Sequence, residues 1–404
     1  MKILHTSDWH IGKNLESYSR LEEQEEFLKE ICELCEKENV DAILLAGDIF
    51  DTFNPSSKAL ELFYKYSKKL SREGGCPLIA IAGNHDSPER IEAPEPLARE
   101  CGIILLGYPD SSIEPFVLES GLSLKRSSAG FLELKLPEYK YPLRIFSTPY
   151  ANEERLRKFL GVSNKEDELR KFMEQKWKEN VDAHADEEGV NILMAHLFLV
   201  KKGKVLEETE SEKPIISVGG AHNLYTKNLP SSKIQYVALG HLHKYQNVIT
   251  KPYPVVYSGS PLAYSLSEAG QKKYVVIVEL EPAKKAKLQK RAIHSGHEIR
   301  RETFQSVDEA VLFLQRHPEV YVELKIISET YLSGESLQRL YGSHQKIVAI
   351  IPELLQEEKE VIEEVNIQKD IKELFKDYYK FKKGNSPSDE LLVLFNEILA
   401  GKEE

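Results

Sequence analysis

The sequence is poor in cysteine, has no excess of positive charge and contains no long apolar segment. No uninterrupted apolar run reaches the ~18 residues that a membrane span requires, and no secretory signal is visible, so we expect a cytoplasmic protein without a membrane segment. With 4 cysteines, and with 41% apolar residues to build a core, the chain needs no disulfide framework. The net charge of −11 argues against a protein that coats nucleic acid non-specifically. The net charge does not exclude a DNA enzyme that binds phosphates through metal ions and a few basic groups.

Two of the cysteines, Cys32 and Cys35, have the spacing of half a zinc site or of a redox motif. Leu28 and Ile31 fall on the same helical face as this pair, and the sequence contains no second pair of this kind. We therefore predict that both cysteines pack in the core.

Five short apolar segments each end in residues that bind metal ions well. The endings are Asp8 and His10, then Asp48 and Asp51, then Asn84, His85 and Asp86, then His196, and finally His241 and His243. Glycine precedes the polar group in three of them, which permits a tight turn or a close backbone approach. In open α/β sheets, ligands lie beyond the carboxyl ends of the strands. One such ending is commonly a satisfied loop residue, but five with the same ligand chemistry predict a metal site.

The order of the elements predicts an α/β fold with three parts. Strand-like and helical segments alternate up to about residue 106, and the segments from 116 to 280 indicate a second, more antiparallel sheet. We expect a two-sheet sandwich flanked by helices over residues 1–281. A small α/β domain without a catalytic cluster is expected at 285–352, and a charged helical segment at 354–404.

Seven of the strand-end residues supply enough ligands for two divalent ions, with one carboxylate shared. They are Asp8, His10, Asp48, Asn84, His196, His241 and His243. Mixed carboxylate, amide and imidazole ligands suit manganese, iron or zinc better than magnesium or calcium, and the absence of cysteine argues against a closed structural zinc. Two such ions, about 3.5–4 Å apart, clamp a phosphoryl group and lower the pKa of water to about 7. His85 and Asp86 are then candidates for protonating or stabilising the leaving oxygen.

In this order the endings resemble the calcineurin-like metallophosphoesterases, whose blocks are Asp-x-His, Gly-Asp-x-x-Asp, Gly-Asn-His-Asp, a lone His and Gly-His-x-His. Within that superfamily the chain is most similar to the nuclease subunits that work with a coiled-coil ATPase. The closer match rests on SDWHIG at 7–12, GDIFD at 47–51, GNHDSPER at 83–90, GHLHK at 240–244 and SGSPL at 258–262. The resemblance covers residues 1–280 well and the remainder by layout only.

The resemblance implies specific roles. One metal takes Asp8, His10, Asp48 and His243, and the other takes Asp48, Asn84, His196 and His241, so that Asp48 bridges them. His85 matches the transition-state histidine, and Asp86 would orient it. Manganese is the favoured ion, and the substrate is DNA, cut as an exonuclease at double-stranded ends and as an endonuclease on single strands or hairpins.

The resemblance also implies an assembly. The residues at 285–352 correspond to a capping domain, the C-terminal helices dock on the ATPase, and the nuclease forms a homodimer within a heterotetramer. One departure stands in the fourth block, where relatives often have His-Gln-Phe and this chain has Leu197 between His196 and Phe198.

Two rival functions stay open on the sequence. A phosphatase acting on a phosphoprotein or a small phosphoester often has Arg directly after the second Asp of Gly-Asp-x-x-Asp, to bind a terminal phosphate dianion. Thr52 occupies that position here, which favours a diester substrate. A non-catalytic scaffold with a stabilising metal is the other rival, and the presence of His85 counts against it.

Overall fold

The computed structural model describes residues 1–157, 165–200, 209–210, 212, 224–230, 233–354, 371–383, 387–388, 391–392 and 394–395. The chain divides into two compact units, one formed by Met1–Ile327 with Leu332–Glu353 and the other by Ser328–Tyr331 with Leu354–Glu404. Within the described ranges, no helix is both long and apolar enough to cross a membrane.

Strands and short hairpins alternate with helices along the described part of the chain. The strands of the first half are β1 Lys2–Thr6, β2 Asn14–Leu15, β3 Tyr18–Ser19, β4 Ala42–Ala46, β5 Leu78–Ile81, β6 Ile103–Leu106, β7 Phe116–Val117, β8 Ser123–Ser128, β9 Phe131–Lys135 and β10 Leu143–Thr148. Those of the second half are β11 Val190–His196, β12 Leu199–Val200, β13 Leu224–Tyr225, β14 Tyr236–Gly240, β15 Gln246–Ile249, β16 Val255–Tyr257, β17 Lys273–Glu279, β18 Lys287–Ile293, β19 Ile299–Phe304, β20 Tyr321–Ser328 and β21 Ile347–Leu354. The α-helices are α1 Leu21–Glu38, α2 Ser57–Ser71, α3 Pro88–Glu92, α4 Glu95–Ala98, α5 Glu153–Leu156, α6 Lys165–His184, α7 Val307–Arg316, α8 Gly334–Ser343 and α9 Ile371–Lys383.

Two large sheets dominate the first unit. The six-stranded sheet has the order β18-β17-β1-β4-β5-β6, and the eight-stranded sheet has the order β15-β16-β14-β11-β10-β9-β8-β7. β1, β4, β5 and β6 run parallel, as do β10, β11, β14 and β16. The carboxyl ends of each parallel block therefore lie along one edge of its sheet, where ligands bind in open α/β sheets.

The central core lies between the two sheets. Ile3 and Leu44 of the first sheet share one buried cluster with Ile145 and Ile192 of the second. Because successive strand residues point to opposite faces, the neighbouring Leu4 belongs to a different cluster on the other side of the first sheet.

Helices cover both outer faces. The apolar sides of α1 and α2 pack on the first sheet, and Met173 and Trp177 of α6 pack on the second. Ser56 caps α2, since its Oγ accepts a hydrogen bond from the N–H of Ala59 at 3.2 Å. The predicted two-sheet sandwich flanked by helices is thereby confirmed.

Cys32 and Cys35 lie on the inner side of α1. Cys35 is buried in the helix-covered cluster, Cys32 packs against it half-buried, and all 4 cysteines are free thiols. Burial raises the pKa of Cys32 to about 11, so this thiol stays protonated at neutral pH. The prediction of core packing is confirmed.

A third sheet, in the order β19-β20-β21, lies in the part of the chain predicted to form the capping domain. With α7 and α8 it encloses a separate buried cluster that includes Leu314, Leu324 and Leu340. β18 instead pairs along its whole length with β17 and extends the first sheet. Residues 287–293 therefore belong to that sheet, although they were predicted to lie in the capping domain. Of the predicted C-terminal helical segment, α9 and a few later residues are described.

Candidate metal centre

The strand ends that predict a metal site in the sequence meet at one place. The N–H of Asp8, after β1, donates to the carbonyl oxygen of Gly47 at 2.9 Å, and the N–H of His10 donates to that of Asp48 at 3.0 Å. The second sheet reaches the same point through His196 at the end of β11, whose ring Nδ1 lies 2.8 Å from the carbonyl oxygen of Ala46.

The glycines before the ligand residues are required by this crowding. A Cβ atom on Gly47 would lie 2.2 Å from Nδ1 of His196, and one on Gly83 would lie 2.1 Å from Oδ1 of Asp48. At Gly240 a Cβ atom would lie 1.8 Å from the carbonyl oxygen of Ala46. The glycines therefore let the two sheets and their loops come close enough to bring side chains from both together.

The backbone at this edge is strained at four non-glycine residues. The φ angles are 53° at Asp8, 44° at His10, 49° at Asp48 and 110° at His241. Residues in such conformations cost on the order of 1–3 kcal/mol each and cluster at functional sites.

Two groups of potential metal ligands result. Asp8, His10 and His243 each offer one ligand atom within 4.8 Å of the others, and Asp48, His196 and His241 do the same. All six residues are buried.

Asp48 connects the two groups, and Asn84 joins the second one. Oδ2 of Asp48 lies 3.6 Å from Nε2 of His10 and 3.4 Å from Nε2 of His196, so it faces one histidine of each group. Oδ1 of Asn84 lies 3.0 Å from Nε2 of His196 and 3.1 Å from Nδ1 of His241. The structure thus brings all seven predicted ligand residues together.

The donor set fits two divalent metal ions. Nε2 of His10 and Nε2 of His243 face each other at 3.0 Å, an arrangement in which two lone pairs point at the same space unless one ring carries a proton there. A cation bound between such rings satisfies both lone pairs. Imidazole nitrogen with carboxylate and amide oxygen is a ligand set for manganese, iron or zinc.

The electrostatics keep most of the imidazoles neutral. Burial lowers the pKa of His10 and His243, and burial together with the charge of His196 lowers the pKa of His241 to about 3. Neutral rings have the lone pairs that a metal requires. Burial alone would raise the pKa of Asp48, but the charge of His196 holds it well below its usual range.

His196 carries the compensating charge. Burial opposes its protonation, yet the carboxylates of Asp48 and Asp8 raise the pKa of His196 to about 9. Divalent ions at this point would take over that role.

A second layer of contacts orients the ligands. Ser7 donates its hydroxyl hydrogen bond to Oδ2 of Asp8, and the N–H of His241 donates to Oδ1 of Asp8 at 2.9 Å. Since the carbonyl oxygen of Ala46 can only accept, Nδ1 of His196 carries the hydrogen and Nε2 is left for a metal.

His243 is oriented by a buried carboxylate. Its Nδ1 lies 3.6 Å from Oε1 of Glu268, which is fully buried and pairs with the ammonium group of Lys273. A carboxylate behind a ligating histidine fixes its tautomer and raises its basicity.

His85 lies next to the first ligand group. His10, Asp51 and His85 form a third cluster of close ligand atoms, and the rings of His10 and His85 are 4.6 Å apart at their centroids. Nδ1 of His85 lies 2.7 Å from the carbonyl oxygen of Asp51, which orients the ring.

Asp86 makes other contacts than those predicted from the sequence. Its carboxylate accepts hydrogen bonds from the N–H groups of Ile49, Phe50 and Gly83 at 3.0, 2.9 and 2.8 Å. It therefore ties the loop after β4 to the loop after β5, whereas the group that contacts the His85 ring is the carbonyl of Asp51.

Sequence reasoning missed the supporting residues Glu268, Lys273 and Arg155. The guanidinium of Arg155 donates to the carbonyl oxygens of Gly83 and Asp86 at 2.8 and 2.6 Å, bracketing His85. These residues are far from the ligand blocks in sequence and follow no local pattern. Ser258, whose Oγ is 2.8 Å from that of Ser7, lies within the SGSPL block that carried the resemblance.

Comparison with known proteins identifies the class of enzyme to which the chain belongs. Residues 1–245 match the family model described as calcineurin-like phosphoesterase. The chain is 36% identical over 412 aligned residues to SbcD of the nuclease SbcCD of Bacillus subtilis (strain 168), covering 100% of this chain and 99% of that protein. It is 33% identical over 283 residues to SbcD of the nuclease SbcCD of Rhodobacter capsulatus, covering 69% of this chain and 66% of that protein. The chain therefore belongs to the SbcD family of the calcineurin-like phosphoesterases, and is a metal-dependent hydrolase.

Proposed function

We propose that the chain is the nuclease subunit of an SbcCD-type complex. It cuts DNA phosphodiester bonds, as an exonuclease at double-stranded ends and as an endonuclease on single strands and hairpins, in DNA repair and recombination. The observation that carries this proposal is the 36% identity to SbcD of the nuclease SbcCD over 100% of the chain, and two buried groups of potential metal ligands support it. A DNA substrate agrees with the expected cytoplasmic location.

The proposed ligand division follows the two groups. One ion would be held by Asp8, His10, Asp48 and His243 and the other by Asp48, Asn84, His196 and His241, with manganese as the proposed metal. When bound, such a pair clamps a phosphoryl group and activates water for attack on phosphorus. The contacts of Asp48 with a histidine of each group support a bridging carboxylate.

His85 is proposed to act on the leaving oxygen. Because the carbonyl oxygen of Asp51 only accepts, Nδ1 of His85 carries a hydrogen and Nε2 is the atom left for substrate. In the imidazolium form Nε2 also carries a hydrogen, which would stabilise charge that develops on the phosphodiester oxygen. Asp86 and Arg155 hold the loop from which His85 extends.

A diester fits the neighbourhood better than a phosphate monoester. The position that would hold a phosphate-binding arginine is Thr52, and the nearby ammonium of Lys13 pairs with Oδ1 of Asp51 at 2.7 Å. A monoester dianion would need an additional cation there.

The test is cleavage by the purified protein with manganese, with and without the SbcC-type ATPase. Substrates are blunt duplex, hairpin and single-stranded DNA, with bis-p-nitrophenyl phosphate and p-nitrophenyl phosphate as small diester and monoester. We expect cleavage of DNA and of the small diester. Preference for the monoester, with no DNA cleavage, would establish the phosphatase instead, and no hydrolysis at all would indicate a scaffold.

The partner is proposed to bind the C-terminal segment. In the second unit, the Phe375 ring of α9 stacks on Phe395 with centroids 3.9 Å apart, while Tyr378 and Leu394 are 60% and 51% exposed. The helical spacing of the sequence predicts that Leu391, Leu392, Leu394, Phe395, Ile398 and Leu399 lie close to one face. Leu391 and Leu392 are half-buried, and Ile398 and Leu399 lie outside the described residues. An amphipathic helix with exposed apolar residues commonly binds in a groove of another protein. The alternative is that the segment packs only on its own chain.

The proposed assembly is a heterotetramer of two nuclease subunits and two ATPase subunits. Light scattering of the purified complex measures its mass. A mass that corresponds to one copy of each chain would contradict the proposed stoichiometry.

A further inference from the structure

We propose that Phe53 stacks on an unpaired base of the DNA strand that enters the metal centre, which makes it a residue for substrate selection. The inference rests on the proposed nuclease function. Phe53 is 52% exposed, whereas the nearby Phe50 and Phe63 are 3% and 0% exposed. It belongs to none of the buried clusters formed by the described residues.

The position of Phe53 places its ring at the rim of the site. It follows Asp51 by two residues, a separation of at most ~7 Å between Cα atoms. Asp51 in turn contacts His85 through its carbonyl oxygen at 2.7 Å. Phe53 is therefore within reach of a nucleotide whose phosphate lies next to His85.

The ring is held in place by a buried cation. The guanidinium carbon of Arg155 lies 5.8 Å from the centroid of Phe53 and 5.0 Å from that of Tyr150. Arg155 is only 4% exposed, and it donates to the carbonyl oxygens of Gly83 and Asp86. The stack of Phe53, Arg155 and Tyr150 is thus fixed to the loop that carries His85. A ring fixed in this way loses little conformational freedom when a ligand binds.

The chemistry favours a nucleobase as the occupant. Every base has an aromatic face, so stacking on an exposed ring is independent of sequence. A base within a duplex is already stacked on both sides, so only a single strand, a hairpin loop or a frayed end can supply one. Neither Thr52 nor Phe53 carries a charge that would attract a phosphate, and the complementary group for the exposed Phe53 ring is the flat apolar face of a base.

The experiment uses the complex with its ATPase, with manganese, and Phe53→Ala, Phe53→Leu and Phe53→Trp variants. Substrates are single-stranded oligonucleotides in which one abasic residue is moved along the strand relative to the cleaved bond. Phe53→Ala should lower kcat/KM on the intact strand by about 5- to 150-fold, equivalent to ~1–3 kcal/mol for one stacked base. Phe53→Leu should lose most of the same factor, and Phe53→Trp should keep activity.

The abasic substrates identify the contact. At one position of the abasic residue, the wild-type kcat/KM should fall by the same factor that Phe53→Ala causes on the intact strand. The wild type and Phe53→Ala should then cleave that substrate with equal kcat/KM. Val117→Ala is the control, because Val117 is 71% exposed and lies on β7 at the edge of the second sheet. It should behave as wild type on every substrate.

Three results overturn the inference. If the wild type cleaves DNA and Phe53→Ala cleaves every substrate equally well, Phe53 has no role in binding while the proposed function stands. If Phe53→Ala lowers kcat/KM by the same factor on intact and on abasic strands, the ring contacts something other than a base. The same follows if Phe53→Ala no longer elutes together with the ATPase on a size-exclusion column. Failure of the wild type to cut any oligonucleotide refutes the proposed function itself.

Discussion

Replacing Glu268 with glutamine should weaken both the fold and the metal centre, and the structure allows the two effects to be separated. Glu268 is 0% exposed and Lys273 is 8% exposed, so their ion pair is buried. Oε1 of Glu268 also lies 3.6 Å from Nδ1 of His243. The substitution keeps the shape of the side chain and removes its charge from both partners.

The expected loss of stability depends on the hydrogen bonds that Lys273 keeps in the variant. Leaving one buried charge without its partner costs ~3–5 kcal/mol. Lys273 keeps two acceptors, the carbonyl oxygen of His243 and Oγ of Ser260, both at 3.1 Å. We therefore expect a loss of about 3 kcal/mol in the free energy of unfolding of the metal-free protein. Loss of the carboxylate behind His243 should lower manganese affinity by ~10–100-fold.

The stability difference should also depend on pH. Burial alone would raise the pKa of Glu268, but the charge of Lys273 and the contact with His243 hold it below its ordinary value of 4.5. A carboxylate with a lowered folded-state pKa contributes its full stability above its unfolded pKa and loses it as the pH falls. The difference between wild type and Glu268→Gln should thus be complete at neutral pH and shrink below about pH 4.5.

Urea unfolding in EDTA measures the stability, and equilibrium dialysis measures bound manganese. The double variant Glu268→Gln/Lys273→Met removes the orphaned charge, so it should regain stability without regaining metal affinity. Glu281→Gln, which breaks the exposed pair of Glu281 with Lys284, is the control and should change neither quantity. Manganese affinity unchanged in Glu268→Gln would refute the claim that this carboxylate supports a metal ligand.

Further predictions address the metals, the chemistry and the partner. Asp48→Ala should abolish hydrolysis and lower the occupancy of both ions in elemental analysis, and retention of one ion in full would contradict the bridging role. His85→Ala should retain both ions and lose ~10²–10³ in kcat, because it removes a donor to developing charge; loss of metal would instead make His85 a ligand. Gly83→Ala should lower metal content, since its Cβ atom would lie 2.1 Å from Oδ1 of Asp48. An unchanged metal content would mean that the loop after β5 can move to accommodate the methyl group. Truncation before Asn385 should leave manganese-dependent cleavage of short single strands nearly intact and abolish co-purification with an SbcC-type ATPase; unfolding or retained binding would count against docking.

The strand ends could be predicted from the sequence because they follow simple rules. Apolar segments that end in Asp8, Asp48 and His196 predict strands, and parallel strands end at a common edge. The glycines at 47, 83 and 240 indicated close approach, and each now has an identified neighbour that a Cβ atom would overlap. This pattern alone selects the seven residues predicted to bind metal.

The supporting contacts could not be predicted, because they join residues distant in sequence. Glu268 reaches His243 from a turn that contains no recognisable motif. Arg155 donates to the carbonyl oxygens of Asp86 and Gly83, which lie 69 and 72 residues earlier in the sequence. The resemblance implied that Asp86 orients His85, but not how: its carboxylate accepts hydrogen bonds from backbone N–H groups of the neighbouring loop. Likewise, β18 pairs with β17 as a hairpin. The charged, lysine-rich composition of this part of the sequence indicated a domain boundary instead.

The carboxylate of Asp48 is proposed to be shared by both ions, and anomalous X-ray scattering from crystals soaked in manganese tests this most directly. Two peaks should appear, one among Asp8, His10 and His243 and one among Asn84, His196 and His241, with the carboxylate of Asp48 bonded to both. A single peak, or two peaks of which only one contacts Asp48, would contradict the proposed two-metal centre.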